Sequence, residues 1–318
     1  MEKRNLGNTD LLVSPITFGS NVFGWTIDEK KSFEVLDGFK EAGFNFIDTA
    51  DVYSRWKPGN SGGESEAIIG NWMKERNNRS EIILTTKVGS DMGTGKSLSK
   101  KHILEAVDAS LGRLKTDYID LYQSHFDDLD TPVQETLEAY DELVKAGKIR
   151  WIGASNFTPE RLLESLKVSK ENNLPVYQTY QPEYNLYDRQ GFEENYEQIC
   201  TDNQLGVINY YSLASGFLTG KYRSEADFTK SPRGAGMKKF LNERGLNILK
   251  ALDEVSAAHN TSLASVSLAW LIARPSITAP IASVTNLEQL TDFTNAATLT
   301  LSAEDLDKLN QPSNWERS

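Results

Sequence analysis

The 318-residue chain is poor in several things at once, and each shortage excludes a class of protein. Its one cysteine, Cys200, rules out an internal disulfide and cannot by itself build a zinc site, so a reducing compartment fits and no metal is expected. Positive charge is in deficit: 34 Lys and Arg stand against 45 Asp and Glu, a net −11, which argues against broad binding to nucleic acid or to an anionic membrane surface. No stretch approaches the roughly 18 consecutive apolar residues of a membrane span. Near the N-terminus, Leu11-Leu12-Val13 is cut short by Asp10, Ser14 and Pro15, so no leader-type apolar region forms. Proline and glycine, at 10 and 22 residues, are too few for a fibrous or disordered chain. A cytoplasmic protein folding as one domain over residues 1–318 is the expectation.

What the chain has is a repeat. Runs rich in Val, Ile, Phe and Tyr recur at Pro15–Gly19, Phe44–Asp48, Ile82–Lys87, Tyr118–Ser124, Ile149–Ala154, Val176–Gln181, Gly206–Tyr211 and Ile277–Ala282, and read as eight strands. Segments of helical spacing lie between them. Thr158 followed by Pro159 is a good helix start, and Gly43, Gly147 and Gly206 stand where a left-handed helix end is wanted. Eight alternating βα units predict an α/β fold of the (β/α)8 TIM-barrel type rather than an open dinucleotide-binding sheet, for which the GxGxxG fingerprint after the first strand is lacking. Lys3–Leu6 and Leu11–Val13 around Gly7-Asn8 read as an N-terminal hairpin able to plug one mouth of the barrel. Leu287–Asn295 and Ala303–Leu309 read as additional C-terminal helices.

The longest interval, between the last two strands, holds the segment Gly216–Phe240. Its six basic and two acidic residues give it +4 within an acidic chain, which makes it a candidate anion clamp as well as an ordinary solvated loop.

In such a barrel, function gathers where strands end at their C-terminal side. Those ends here carry Asp48 and then Tyr53, Lys87, His125, Ser155-Asn156 and Gln181. A tyrosine hydroxyl titrates near 10, too high for easy proton donation, and a neighbouring ammonium from Lys87 lowers it. Asp48 supplies the charge a buried lysine needs, and His125 can orient a substrate oxygen. The other histidines, His102 and His259, fall on helical segments as surface or packing residues, Cys200 as core, and Glu64 and Glu66 as carboxylates suited to a helix start.

The stretches Gly43-Phe44-Asn45-Phe46-Ile47-Asp48-Thr49-Ala50 with Tyr53, Asp120-Leu121-Tyr122-Gln123-Ser124-His125 and Gly153-Ala154-Ser155-Asn156-Phe157 resemble the aldo-keto reductase superfamily, from the hairpin to about Gln311. The resemblance implies NADPH-dependent reduction of aldehydes and ketones, with a small carbonyl compound as partner and NAD as the other cofactor open. It places Asp48, Tyr53, Lys87 and His125 as the catalytic tetrad and Tyr53 as general acid. It also implies a cofactor site: Gly19, Ser20 and Asn21 with Asp48 beside the nicotinamide, Ser155, Asn156 and Gln181 on its carboxamide, and Tyr210 stacked on the ring with Tyr211 as the alternative. Ser212, Leu213, Gly216, Leu218 and Lys221 would wrap the pyrophosphate, and Ser283, Thr285 and Gln289 the adenine end. No Lys or Arg falls between Pro275 and Asp307, where relatives place a partner for the 2′-phosphate, so Arg233 or Lys238 would have to reach over from the loop; Phe293 also replaces a family Asn. Two other readings stay open: a non-catalytic nucleotide-binding barrel like the channel-associated members, and a Schiff-base aldolase using Lys87.

Overall fold

The computed structural model describes residues 2–93, 95–230 and 234–315. A short antiparallel hairpin, β1 (Arg4–Asn5) and β2 (Leu12–Val13), precedes eight parallel strands: β3 (Thr17–Gly19), β4 (Phe46–Asp48), β5 (Ile83–Val88), β6 (Ile119–Ser124), β7 (Ile149–Ser155), β8 (Tyr177–Gln181), β9 (Gly206–Val207) and β10 (Ile281–Ala282). Each pairs with its sequence neighbour, and β10 pairs back onto β3. The ring closes through single bonds: Thr278 and Ala279 N–H donate to the Val207 carbonyl at 2.9 and 3.2 Å, and Ile281 N–H to Asn209 at 2.9 Å. The result is the expected (β/α)8 barrel.

The strand ends differ from the sequence reading for a physical reason. Pro280 has no N–H to give the ladder, so regular pairing in the last strand begins only at Ile281. Gly206 is not a helix end: Gln204 takes the left-handed turn (φ 54°), while Gly206 opens β9 so tightly against Gly7 that a β-carbon would lie 2.7 Å from the Gly7 nitrogen. Gly43 and Gly147 do take positive φ, at 89° and 71°.

The hairpin closes the N-terminal floor. Leu6, Leu11 and Val13 are buried with Phe46, Leu121, Ile208, Ala279 and Ile281, which point into the barrel; each such side chain contributes roughly 1.5–3 kcal/mol of burial. The Arg4 guanidinium fastens the hairpin, donating to the carbonyls of Ile272 at 2.9 Å and Ile277 at 3.2 Å.

Around the ring pack α1 (Glu29–Glu41), α2 (Glu64–Arg76), α3 (Lys100–Leu114), α4 (Val133–Lys145) and α5 (Pro159–Asn172), then the short α6 (Gln190–Asn195) and α7 (Glu197–Asp202), and α8 (Glu243–Ala258) with α9 (Leu263–Ile272). Thr158 caps α5 as expected, accepting from the Arg161 amide. The added C-terminal helices are α10 (Leu287–Thr298) and α11 (Ala303–Ser313). The long insertion folds as three 3-10 turns, Ala214–Thr219, Glu225–Lys230 and Gly234–Phe240. With the floor sealed, the opposite mouth, where the strands end, is left for chemistry.

Candidate active site

β4 and β5 end side by side, with Asp48 paired in register to Thr85, and this brings Asp48 and Lys87 together inside the barrel. The Lys87 Nζ lies 2.7 Å from Asp48 Oδ2, 2.8 Å from the Thr49 carbonyl and 2.9 Å from the Tyr53 hydroxyl, with its side chain fully buried. Tyr53 is held by the turn after β4, and its hydroxyl also donates to Asp48 Oδ2 at 3.3 Å. Gln181 donates to the other Asp48 oxygen at 3.1 Å, and Gln123 to Thr85 Oγ1 at 2.9 Å. Gln123, one residue before the end of β6, joins this network although its place in the sequence assigns it no role.

The electrostatics depart from the sequence expectation. Burial and the Asp48 carboxylate raise the Tyr53 hydroxyl well above its ordinary 10 rather than lowering it, because Asp48, which balances Lys87, also opposes a tyrosinate. Burial pulls Lys87 below its ordinary 10.5, against the pull of Asp48. His125 is pushed well below 6.5 by burial, with Lys87 and Lys96 adding repulsion, so it is neutral at neutral pH. Its ring stacks on Phe126 at 4.9 Å and stands 6.1 Å from the Tyr53 ring, with Nδ1 buried and lacking a hydrogen-bond partner among the described residues.

These groups lie at the bottom of a cleft of about 950 Å³. Asp48, Tyr53 and His125 line it, together with Gly19, Asn21, Ser155, Asn156, Gln181, Tyr210, Tyr211, Ser212, Leu213, Gly216, Lys221, Ser283, Thr285 and Gln289 from the sequence reading. Three of that set fall elsewhere. Lys87 sits behind Tyr53, Leu218 is packed in the core, and Ser20 is buried, donating to the Asp48 carbonyl at 2.8 Å. Arg233 lies outside the described residues. Lys238 does not line the cleft: it is exposed and 3.7 Å from Glu225, whereas Lys230, 2.7 Å from Asp227, does line it. Trp25, Phe126 and Asp292 also line the cleft and were not singled out, although Trp25 and Phe126 sit just past strand ends where a barrel puts function.

The surfaces suit an elongated nucleotide. Asn156, in a left-handed turn (φ 55°), bonds the His125 carbonyl at 2.8 Å and accepts from the Tyr210 hydroxyl at 3.1 Å, so polar amide groups face one end. Tyr210 is thereby occupied, while Tyr211 is 51% exposed on the cleft and presents the freer ring. A β-carbon on Gly19 would meet Ile281 and Ser283 at 2.8 Å, and one on Gly216 the Lys221 ammonium at 3.2 Å, so both glycines keep backbone close to the cleft. Phe293 packs in the core, 6.3 Å from Phe18 and 6.1 Å from Phe44, and also lines the cleft. Cys200 is core too, its thiol pushed up to about 12 by burial, and His259 pairs with Asp305 at 2.9 Å. Glu64 accepts from the Ser61 and Gly62 amides as a helix-start carboxylate should, but Glu66 is wholly buried, holding Thr86 Oγ1 at 2.5 Å and Arg113 Nε at 2.7 Å.

The sequence model of the Aldo/keto reductase family matches residues 15–313. The chain belongs to the aldo/keto reductase family. Among its relatives, "Uncharacterized oxidoreductase YrpG" of Bacillus subtilis is 35% identical over 98% of this chain and 95% of its own length. "Probable voltage-gated potassium channel subunit beta" of Oryza sativa subsp. japonica is 31% identical over 92% and 90%. "L-glyceraldehyde 3-phosphate reductase" of Escherichia coli O157:H7 is 30% identical over 98% and 92%. Family membership makes the chain an oxidoreductase of a class that works with nicotinamide cofactors. Among the described residues no helix is long and apolar enough to cross a membrane, and no group of three or more His, Cys, Asp or Glu is placed to hold a metal ion.

Proposed function

We propose that this chain reduces an aldehyde or ketone to an alcohol with a nicotinamide cofactor, preferring NADPH, and that Tyr53 donates the proton. The observation that carries the reading is the Asp48–Lys87–Tyr53 chain of contacts at the base of a nucleotide-sized cleft. When bound, the reduced cofactor supplies the hydride. Tyr53 is protonated at neutral pH and so begins as a donor. As its proton moves to a substrate oxygen, the Lys87 ammonium at 2.9 Å offsets the charge that develops on the phenol oxygen, which is where an electrostatic contribution counts. Asp48 keeps that ammonium in place, and neutral His125, lining the cleft 6.1 Å from the Tyr53 ring, orients the oxygen. Ser155, Asn156 and Gln181 would hold the carboxamide, Tyr211 the ring face, and Lys221 with Lys230 the phosphates.

Replacing the hydroxyl alone tests the assignment. Tyr53→Phe should lose about 10²–10⁴-fold in aldehyde reduction while NADPH titration, followed by fluorescence, stays at the wild-type affinity. Activity within a few-fold of wild type would refute the role. A nucleotide-binding subunit of a larger assembly is the second reading, favoured by the likeness to the rice channel subunit; turnover of any simple aldehyde decides against its being non-catalytic. A Schiff base on Lys87 would have to break all three contacts of its ammonium.

A further inference from the structure

The Tyr53 end of the cleft has a wall whose chemistry the reduction itself does not need. Trp25, Trp56, Phe126, Val22 and Val52 line it. Trp56 stands edge-on to Tyr53, ring centroids 6.0 Å apart at 61°, and edge-on to Trp25 at 5.6 Å and 88°. It is nevertheless 47% exposed, one of the few large apolar side chains left open on the molecule. A tryptophan held open at the mouth of a cleft is apolar surface awaiting a cover, and a ring at 4.5–7 Å is the geometry such a face prefers.

Charge points the same way. The lysines lining the cleft, Lys221 and Lys230, come from the segment after β9, and the Lys230 ammonium bonds the Lys221 carbonyl at 3.0 Å. Each cation described on the loops around Tyr53 already has a protein group: Arg55 donates to the Asp91 carbonyl at 2.9 Å, Lys57 to Gly24 at 3.1 Å, and the Lys96 ammonium lies 4.0 Å from the Phe126 ring centre. A phosphorylated or carboxylated carbonyl compound would therefore enter an apolar wall with no charge offered to it, at a desolvation cost.

We infer that the substrate is an uncharged aryl aldehyde or ketone and that Trp56, backed by Trp25, sets this specificity. The inference rests on the reductase reading above. The ring of the substrate lies against Trp56 while its carbonyl oxygen reaches Tyr53.

The test uses the full chain with NADPH and three aldehydes: benzaldehyde, butanal and glyceraldehyde 3-phosphate. Wild type should show kcat/KM for benzaldehyde at least about tenfold above the other two. Trp56→Ala should lower the benzaldehyde value about tenfold through KM, the scale of one aromatic contact with its buried area. It should leave butanal within twofold and the NADPH dissociation constant unchanged, and Trp56→Phe should restore most of the loss. Equal turnover of all three aldehydes, or an equal effect of Trp56→Ala on benzaldehyde and butanal, overturns this inference alone. No turnover of any aldehyde overturns the reductase reading and the inference with it.

Discussion

Asp51 offers a prediction that needs neither substrate nor cofactor. It is 4% exposed, its Oδ1 has no hydrogen-bond partner among the described residues, and burial together with the nearby Glu66 carboxylate pushes its carboxyl up to about 7, against the opposing pull of Arg113 and Lys87. The folded state thus holds a proton that the unfolded chain releases near its ordinary 3.8. Asp51 stabilises most below that lower value, and its contribution is lost as pH rises from 3.8 through 7. At ~1.4 kcal/mol per pH unit the full swing is about 4 kcal/mol, a large share of the 5–15 kcal/mol net stability of an ordinary domain. Asp51→Asn removes the titration and keeps the shape. Urea unfolding of wild type and variant at pH 5 and pH 8 should show the variant gaining on wild type by roughly 2–3 kcal/mol between the two, most of the predicted swing. A difference between the proteins that does not move with pH would refute the reasoning and place a partner on Asp51.

Two further outcomes follow from the cleft. Lys87→Met should abolish most reduction and raise the apparent pKa of the acid group, shifting the alkaline limb of any residual pH–rate profile upward, because the remaining Asp48 charge then acts on Tyr53 alone; an unchanged profile with high activity would make Lys87 a packing residue. Lys230→Ala should weaken NADPH about tenfold more than NADH, the worth of one charge-assisted bond, while Lys238→Ala leaves both dissociation constants within twofold. Tighter binding of NADH than NADPH by wild type would reverse the cofactor assignment.

The barrel was legible because strand composition and helix spacing alternate eight times, and backbone hydrogen bonding leaves few other ways to bury eight such strands. That Tyr53, Asp48 and His125 meet on one cleft was legible for the same reason: a strand end in this fold is an address. What lay beyond reading was whatever depends on direction in space. A count of charges does not separate Lys230 from Lys238: both have an acidic neighbour, Asp227 at 2.7 Å and Glu225 at 3.7 Å, and only the fold of two short 3-10 turns puts the first on the cleft. Tyr53 stands above 10 rather than below it because burial disfavours a tyrosinate and because Asp48 touches both Lys87 and Tyr53, neither of which a linear sequence displays. Leu218 and Ser20 look like cofactor contacts in a linear motif, yet their side chains are spent on the core and on the Asp48 carbonyl.

The plugged floor bears on the order in which the molecule can be made. Arg4 bonds to carbonyls 268 and 273 residues further along the chain, and β3 finds its second neighbour only in β10. A nascent chain stopped short of residue 277 has an open sheet edge at β3 and a hairpin with nothing to seal, both sticky surfaces. Closure is therefore a late event that joins the two ends of the sequence in one step, and so many distant contacts place this chain among the slower folders.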